Sequence, residues 1–430
     1  MEEQSFLLPP PTPPAIRVAM AKAARREEIG LPVIDFSSGS IGKLLFKLNL
    51  FTKLDIEVNK ELSRELQLIA EAVKQGILEA YYPSPKGLAY FPTGGTEWVK
   101  KWVIEYFKEM HGVPLVEKDF DKVIATAGGQ QAMMAAIRSI KPRTKVFIPQ
   151  WEYEPIPAIV KDRGCEVIRI KANDDLSINK EDLKEKVVVN SVFYISMPNN
   201  PTGYTSTQDF EAVLRNAKEK NCGVIWDAPY IFTILRLSSN KAEFDKEFLQ
   251  SRIEEFKKIV KKYYEDMCIL SSISKTCLMA GIRFGFATAS ARWINLMEAI
   301  IGRENLSSPT PGFIMGTYAL QMFLKNPIMH EWTCKILAER LTLLIEEGLP
   351  LILPKNGEFG ALYVLLNTRG LDGAKFAEEL IEKHGIVTVP GNPFYGESID
   401  AVRLSLVATP WVEGDEEWRK NVKALKKALS

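Results

Sequence analysis

What most constrains this chain is an alternation that runs from about residue 120 to residue 290. The short β-branched runs "KVIATAG", "KVFIPQ", "EVIRIKA", "VFYISMP", "GVIWDAP", "CILSSIS" and "RFGFATAS" recur there, separated by stretches of helical spacing such as "QQAMMAAIRSI" and "YEPIPAIVKDRG". Short apolar runs alternating with helices predict βαβ units and a mostly parallel sheet buried on both faces. Upstream, "AIRVAMAKAARREEIG" has helical spacing, and "LPVIDFSSGS" reads as a short strand running into a Ser/Gly turn. After residue 310 come an amphipathic helix, "HEWTCKILAERLTLLIEEG", and strand-like pieces, "ALYVLLN" and "AVRLSLV". These predict a second, smaller α+β domain. Residues 1–13 are acidic and then proline-rich and predict a flexible tail.

In an open α/β sheet, ligands bind where loops leave the carboxyl ends of the strands. After "VIAT" the chain offers Gly128, Gly129 and Gln130 at a helix start, where free backbone N–H groups suit a phosphate. Trp151 and Tyr153 follow "VFIP" and could stack on a flat ring or sit in the core. Asn199 and Asn200 open "NNPTG" after "FYISMP", and Asp227 ends "VIW" with Tyr230 three residues on. An acid at the end of a buried strand needs a cation or donors. Ser272, Ser274 and Lys275 follow "CILS", and Arg283 comes eight residues after the lysine. Each feature alone has an ordinary structural reading. Together they offer a phosphate turn, a stacking aromatic, an amide, a carboxylate with a phenol, and a lysine with serines and an arginine. One ligand needs all of these at once: pyridoxal 5′-phosphate held as a Schiff base.

Composition narrows the alternatives. With 46% hydrophobic and 25% charged residues and a net charge of +1, nothing points to nucleic acid or an anionic membrane as partner. No apolar run has membrane-spanning length. The five cysteines, Cys165, Cys222, Cys268, Cys277 and Cys334, are scattered without a Cys-x-x-Cys pair, which argues against disulfides and a thiolate metal site and for a cytoplasmic protein. His111, His330 and His384 stand alone in their segments, so neither histidine nor metal chemistry is expected.

The stretch "SISKTCLMAGIRFG" resembles the lysine signature of the fold-type I pyridoxal-phosphate enzymes, specifically the class I/II aminotransferases. "NNPTG" and "DAPY" resemble that family's next two hallmarks, in the right order, and the likeness spans about residues 15 to 415. "LAYFPTGGTEWVKKWV" leans toward the aromatic and 2-aminoadipate aminotransferases. The resemblance implies an α/β fold with a mostly parallel seven-stranded sheet flanked by helices, plus a smaller α+β domain. Its divisions would be an N-terminal arm and part of the small domain over 14–84, a large cofactor domain over 85–305, and an interdomain helix and C-terminal small domain over 306–430. It also implies transfer of an amino group from an L-amino acid to a 2-oxo acid with ping-pong kinetics.

The resemblance assigns roles residue by residue. Lys275 would carry the cofactor as a Schiff base, Asp227 would face the pyridine nitrogen, and Asn200 and Tyr230 would bond the ring oxygen. Gly128, Gly129, Gln130, Ser272, Ser274 and Arg283 would hold the phosphate, and Tyr153 would stack on the ring. Tyr90 would reach the neighbouring subunit's phosphate, which implies a homodimer with shared sites. Arg403 would clamp the substrate α-carboxylate, with Gly39 and Asn200 nearby; its plain alternative is a surface arginine on an edge strand.

Three features depart from the family pattern. Trp151 stands where many relatives have proline before the stacking tyrosine, which leaves Trp151 open beside Tyr153. "SSGSIG" lacks the usual proline after its glycine. The segment from Ile41 to about Pro83 is longer than in many relatives, and reads either as a helix packed on a dimer partner or as an apolar lid. Other reactions on the same scaffold, a β-C–S lyase or a cyclopropane-carboxylate synthase, share these motifs. A non-catalytic amino-acid sensor would place a DNA-binding domain ahead of the fold, yet the residues before Gly128 already match the aminotransferase N-terminal segment.

Overall fold

The computed structural model describes residues 13–52, 56–326 and 330–429; most of the proline-rich tail expected over 1–13 lies outside them. Seven strands form the main sheet: β1 (Val123–Thr126), β2 (Lys145–Pro149), β3 (Glu166–Ile170), β4 (Val192–Ser196), β5 (Gly223–Asp227), β6 (Met267–Ser272) and β7 (Gly285–Thr288). Their order is β1-β7-β6-β5-β4-β2-β3. All neighbours are parallel except β7, which runs antiparallel to β1 and β6. Residues 273–284, which join β6 to β7, hold only a short helix at Ile273–Thr276 and a 3₁₀ turn at Ala280–Ile282, and the chain turns back along β6. Every residue of β1, β4, β6 and β7 is buried, as the apolar runs require.

One end of this sheet collects the loops. Strands β1, β2, β4, β5 and β6 all end there, and β7 begins there at Gly285, which pairs with both Thr126 and Ser272. A Cβ on Gly285 would overlap the Gly128 backbone and lie 2.7 Å from its carbonyl oxygen. The turn after β1, the serines after β6 and the start of β7 are therefore pressed together.

A second sheet, antiparallel throughout, has the order β8-β9-β11-β10, with β8 at Leu351–Ile352, β9 at Tyr363–Asn367, β10 at Val389–Pro390 and β11 at Ala401–Ser405. Arg403 thus lies on an interior strand, between Leu365 of β9 and Val389 of β10. The N-terminal segment joins this half: Ile34–Asp35 pairs in parallel with Ile386–Val387. Helix α1 (Ala15–Glu28) is tied to it by a 2.7 Å ion pair from Lys22 to Glu378.

The long segment after Ile41 resolves into structure of its own. A 3₁₀ turn at Ile41–Leu45 buries Ile41 and Leu44, with Gly42 seated against the Leu278 carbonyl. Helix α2 (Arg64–Tyr81) packs on helix α3 (Thr310–Lys325), and Gly76 leaves room for Met315 only because it lacks a side chain. Among the described residues of 41–83, none lines the cavity at the strand ends.

Candidate active site

The strand ends open into a cavity of about 740 Å³ between the two sheets. Its phosphate-like corner is built at the turn after β1. Gly128 adopts φ +83, a left-handed conformation that favours glycine. A Cβ there would overlap Arg283 Nη2 and lie 2.8 Å from its Cζ, so the guanidinium lies directly on the turn. Gly129 opens helix Gly129–Arg138, whose free N–H groups and dipole face the same corner. Gln130, Ser272, Ser274 and Arg283 line it. Arg283 Nη1 also donates to the Ala280 carbonyl at 2.8 Å.

Asp227 lies beyond, at the end of β5. Burial pushes its carboxyl up to about 6, against a hydrogen bond from Tyr194 and the charge of Lys275. The Tyr194 hydroxyl donates to Asp227 Oδ2 at 2.8 Å. A cationic ring nitrogen facing this acid would restore its ionised form. Sequence reading missed Tyr194 because it sits within an otherwise apolar strand; its one signal is a phenol in that run.

Of the two aromatics after β2, Tyr153 lines the cavity and Trp151 does not. Trp151 packs on Tyr395 with ring centroids 4.7 Å apart, in a core cluster with Phe394. The Tyr153 hydroxyl donates to Gln130 Oε1 at 3.4 Å, which links the stacking position to the phosphate corner. Between them, Glu152 is fully buried. Burial pushes its carboxyl up to about 7, although it accepts from Ser196 Oγ at 2.5 Å, Ser196 N at 2.9 Å and Tyr153 N at 2.7 Å.

The two asparagines divide their work. Asn199 is a brace: its Nδ2 donates to the Trp151 carbonyl at 3.1 Å and to Ser196 Oγ at 3.0 Å, and its Oδ1 accepts from Thr202 Oγ1 at 2.7 Å. Asn200 Oδ1 instead accepts from Arg403 Nη1 at 3.0 Å.

Arg403 is 2% exposed, so the surface reading fails. Its guanidinium lies between the rings of Tyr363 and Phe394, with Cζ 4.0 Å and 4.9 Å from the two centroids. Its Nη2 donates to the Ser37 carbonyl at 3.1 Å, while the buried Nε has no partner among the described residues. A planar guanidinium of this kind can bond a carboxylate through two N–H groups.

Lys275 lies in the short helix Ile273–Thr276 just after β6, and its Nζ donates to the Gly39 carbonyl at 2.6 Å. Gly39 thus sits at the lysine, whereas it is Ser37 that reaches Arg403. The Nζ is 5.9 Å from the centre of the Tyr230 ring. Tyr230 is buried, and burial, reinforced by Tyr363, raises its phenol well above the ordinary range.

Tyr90 lies outside the cavity, 80% exposed. Among the lining residues not singled out in the sequence are Tyr363, and Arg17 on α1. Both reach the cavity from segments far along the chain, and neither belongs to a motif. His111 and His330 are buried elsewhere, the five cysteines are free and buried, and no cluster suited to a metal occurs among the described residues. No helix among them is long and apolar enough to cross a membrane.

Comparison with known proteins gives the family. An aspartate aminotransferase of Pyrococcus horikoshii is 26% identical over 372 residues, which cover 80% of this chain and 89% of that protein. An LL-diaminopimelate aminotransferase of Dehalococcoides mccartyi is 24% identical over 409 residues, 88% of this chain and 96% of that one. The structure of aspartate aminotransferase from Thermus thermophilus with maleate superposes with a TM-score of 0.76 at 21% identity, covering 97% of each chain, and shares the fold. The family model for aminotransferase class I and II matches residues 51–416, and the chain belongs to that family.

Proposed function

We infer that this enzyme moves an amino group from an L-amino acid to a 2-oxo acid in two half-reactions at one site, with ping-pong kinetics. The observation that carries the reading is that a single cavity holds Lys275, Asp227, Arg283 and Arg403 together. Pyridoxal 5′-phosphate, the cofactor of class I aminotransferases of this fold, supplies an aldehyde for the amino group and a ring that takes up the electron pair left at Cα when its proton departs. The residues present fit it: a glycine turn under a guanidinium at a helix start, a carboxyl raised by burial, and an amine in the same cavity.

In this reading Gly128, Gly129, Gln130, Ser272, Ser274 and Arg283 hold the phosphate and Tyr153 packs on the ring. Asp227 faces the ring nitrogen, and Asn200 and Tyr230 bond the ring oxygen. Lys275 would tether the cofactor through its amine; once released, Nζ would take the substrate Cα proton and pass it to the carbon that had carried the aldehyde. Arg403 binds the α-carboxylate and so sets the direction of the Cα–H bond. Two contacts on the guanidinium and two rings around it keep that direction fixed.

Arg17 lines the part of the cavity formed by α1, beside Ile16 and Met20. A cation there favours a donor with an acidic side chain, in keeping with relatives named for aspartate. The aromatic lean rests on a segment whose Tyr90 lies outside the cavity. The chain divides into a cofactor domain over 85–305 and a smaller domain from 14–84 and 306–430. A homodimer is supported by the exposed apolar side chains Leu78, Tyr81, Tyr82, Leu88 and Tyr90, gathered in one short stretch. Tyr90 would reach the neighbouring subunit's phosphate there.

The test is an absorbance spectrum of the protein loaded with pyridoxal phosphate, before and after single amino acids. Conversion to the pyridoxamine form by acidic amino acids, reversed by a 2-oxo acid, is the expected result. A yellow band that no amino acid discharges would turn the reading toward lyase chemistry. No band at all would sink it.

A further inference from the structure

Tyr363 belongs to no motif, yet it touches more of the proposed machinery than any other unassigned residue. It stands opposite Ser405, while Leu365 stands opposite Arg403, so Tyr363 and Arg403 project from one face of the sheet. The Tyr363 ring lies against the Arg403 guanidinium at 4.0 Å. Its edge meets Tyr230, centroids 6.2 Å apart at 82°. Its hydroxyl lies against Gly39, the residue whose carbonyl accepts from Lys275 Nζ, so phenol and amine meet beside one residue in the same cavity. Room for that hydroxyl exists only because residue 39 is glycine: a Cβ there would overlap Tyr363 Oη and lie 2.9 Å from Cζ. Ala361, two residues before, takes φ +64, a conformation a non-glycine residue holds only under constraint.

A phenylalanine would serve the stack on Arg403 equally well. The hydroxyl adds nothing there, but it does stand beside Gly39, the amine's partner. We propose that Tyr363 is a further acid–base group of the reaction, exchanging a proton with Lys275 Nζ. The proposal rests on the aminotransferase reading above. The step balances within the pair: an N–H bond of the lysine ammonium breaks as an O–H bond forms on the Tyr363 phenolate, leaving neutral amine and neutral phenol. The reverse step takes the proton back. The charged and titratable groups facing Tyr363 are Lys275 and Arg403, both cationic, and the phenols of Tyr230 and Tyr153. Burial opposes ionisation, but the two cations hold the Tyr363 phenol below the ordinary tyrosine range.

Tyr363→Phe separates the roles, because it keeps the ring and removes the oxygen. In the holoenzyme the half-reaction rate at saturating amino acid should fall by roughly a hundredfold, with KM changed by less than about threefold. Tyr363→Leu should lose the stack as well and raise KM. In the cofactor-free protein, tyrosinate absorbance followed against pH should show one phenol ionising ahead of the rest, and Tyr363→Phe should remove it. An unchanged half-reaction rate in Tyr363→Phe, a loss confined to KM, or a tyrosinate titration identical to that of the natural chain would overturn the proposal. If the natural chain gives no amino-acid-driven spectral change, the aminotransferase reading fails first, and the titration alone then decides whether the pair exists.

Discussion

Arg403 Nη1 donates a 3.0 Å hydrogen bond to Asn200 Oδ1, so the guanidinium proposed for the substrate and the amide proposed for the cofactor hold each other across the seam between the two sheets. Asn200 is fixed in turn by its loop, which Asn199 braces against Trp151 and Ser196. Cofactor and substrate orientation would then be set by one connected network rather than by two independent subsites.

The first prediction concerns that network. Arg403→Lys keeps the charge but loses the planar fork, and should raise KM for amino acids about a hundredfold. Amines lacking a carboxylate should show no such change, because they never used the fork. Asn200→Ala should weaken amino-acid binding as well, since it frees one side of the guanidinium. A double-mutant cycle on KM should show coupling of about 1–2 kcal/mol. Additive effects would mean that the hydrogen bond does no positioning.

Asp227 gives a prediction about pH. Burial raises its carboxyl from 3.8 to about 6 in the cofactor-free protein. Between those values the folded state holds a proton that the unfolded state has released, so this group makes stability fall as pH rises through the interval. Asp227→Asn cannot titrate, and its amide oxygen can still accept from Tyr194. Its stability relative to the natural chain should therefore increase from pH 4 to pH 6 and level off above, by at most ~3 kcal/mol. Urea unfolding at several pH values checks this. In the loaded enzyme the same substitution should depress the amino-acid half-reaction by more than about a hundredfold, since no anion then faces the ring nitrogen.

Glu152 is the brace beneath the stacking tyrosine. Glu152→Ala would leave Ser196 N, Ser196 Oγ and Tyr153 N buried without their acceptor. The expected cost is about 3 kcal/mol in unfolding free energy, with weaker cofactor retention because Tyr153 loses its anchor. Glu152→Gln keeps one acceptor oxygen and should cost markedly less. Equal costs for the two would show that the cavity, not the hydrogen bonding, matters.

How much of this was legible in the sequence depended on what kind of signal each residue leaves. Strands β1, β4, β6 and β7 are buried along their whole length, so each leaves an unbroken apolar run. Residues just past such runs inherit their position from the sheet, which is why Gly128, Asp227 and Lys275 could be placed at one edge. The carboxylate-clamp role for Arg403 came only through family resemblance; its burial comes from strands at 363–367 and 389–390 that close around it. Tyr363, Phe394 and Arg17 left no trace, because what matters about them is which distant segment they touch. The same limit hid the bond from Lys275 to the Gly39 carbonyl: a backbone carbonyl's partner is decided by packing, not by its neighbours in the chain. The antiparallel course of β7 was missed too, since run lengths do not encode direction.

The last prediction tests the phosphate corner by geometry alone. Gly128 needs its φ of +83, and a side chain there would strike the Arg283 guanidinium. Gly128→Ala should therefore strain the turn by roughly 1–2 kcal/mol and push Arg283 off the corner. Both effects fall on the proposed anion corner, because the three atoms nearest a Cβ at 128 all belong to the Arg283 guanidinium. Affinity for pyridoxal phosphate should drop by at least about tenfold, while affinity for pyridoxal, which lacks the phosphate, should drop by less. Gly129→Ala is the internal comparison: its Cβ would stand 3.6 Å from Ser272, ordinary contact distance, so its effect should be smaller. Equal losses for pyridoxal and its phosphate in Gly128→Ala would place the anion elsewhere in the cavity and remove Arg283 from its proposed role.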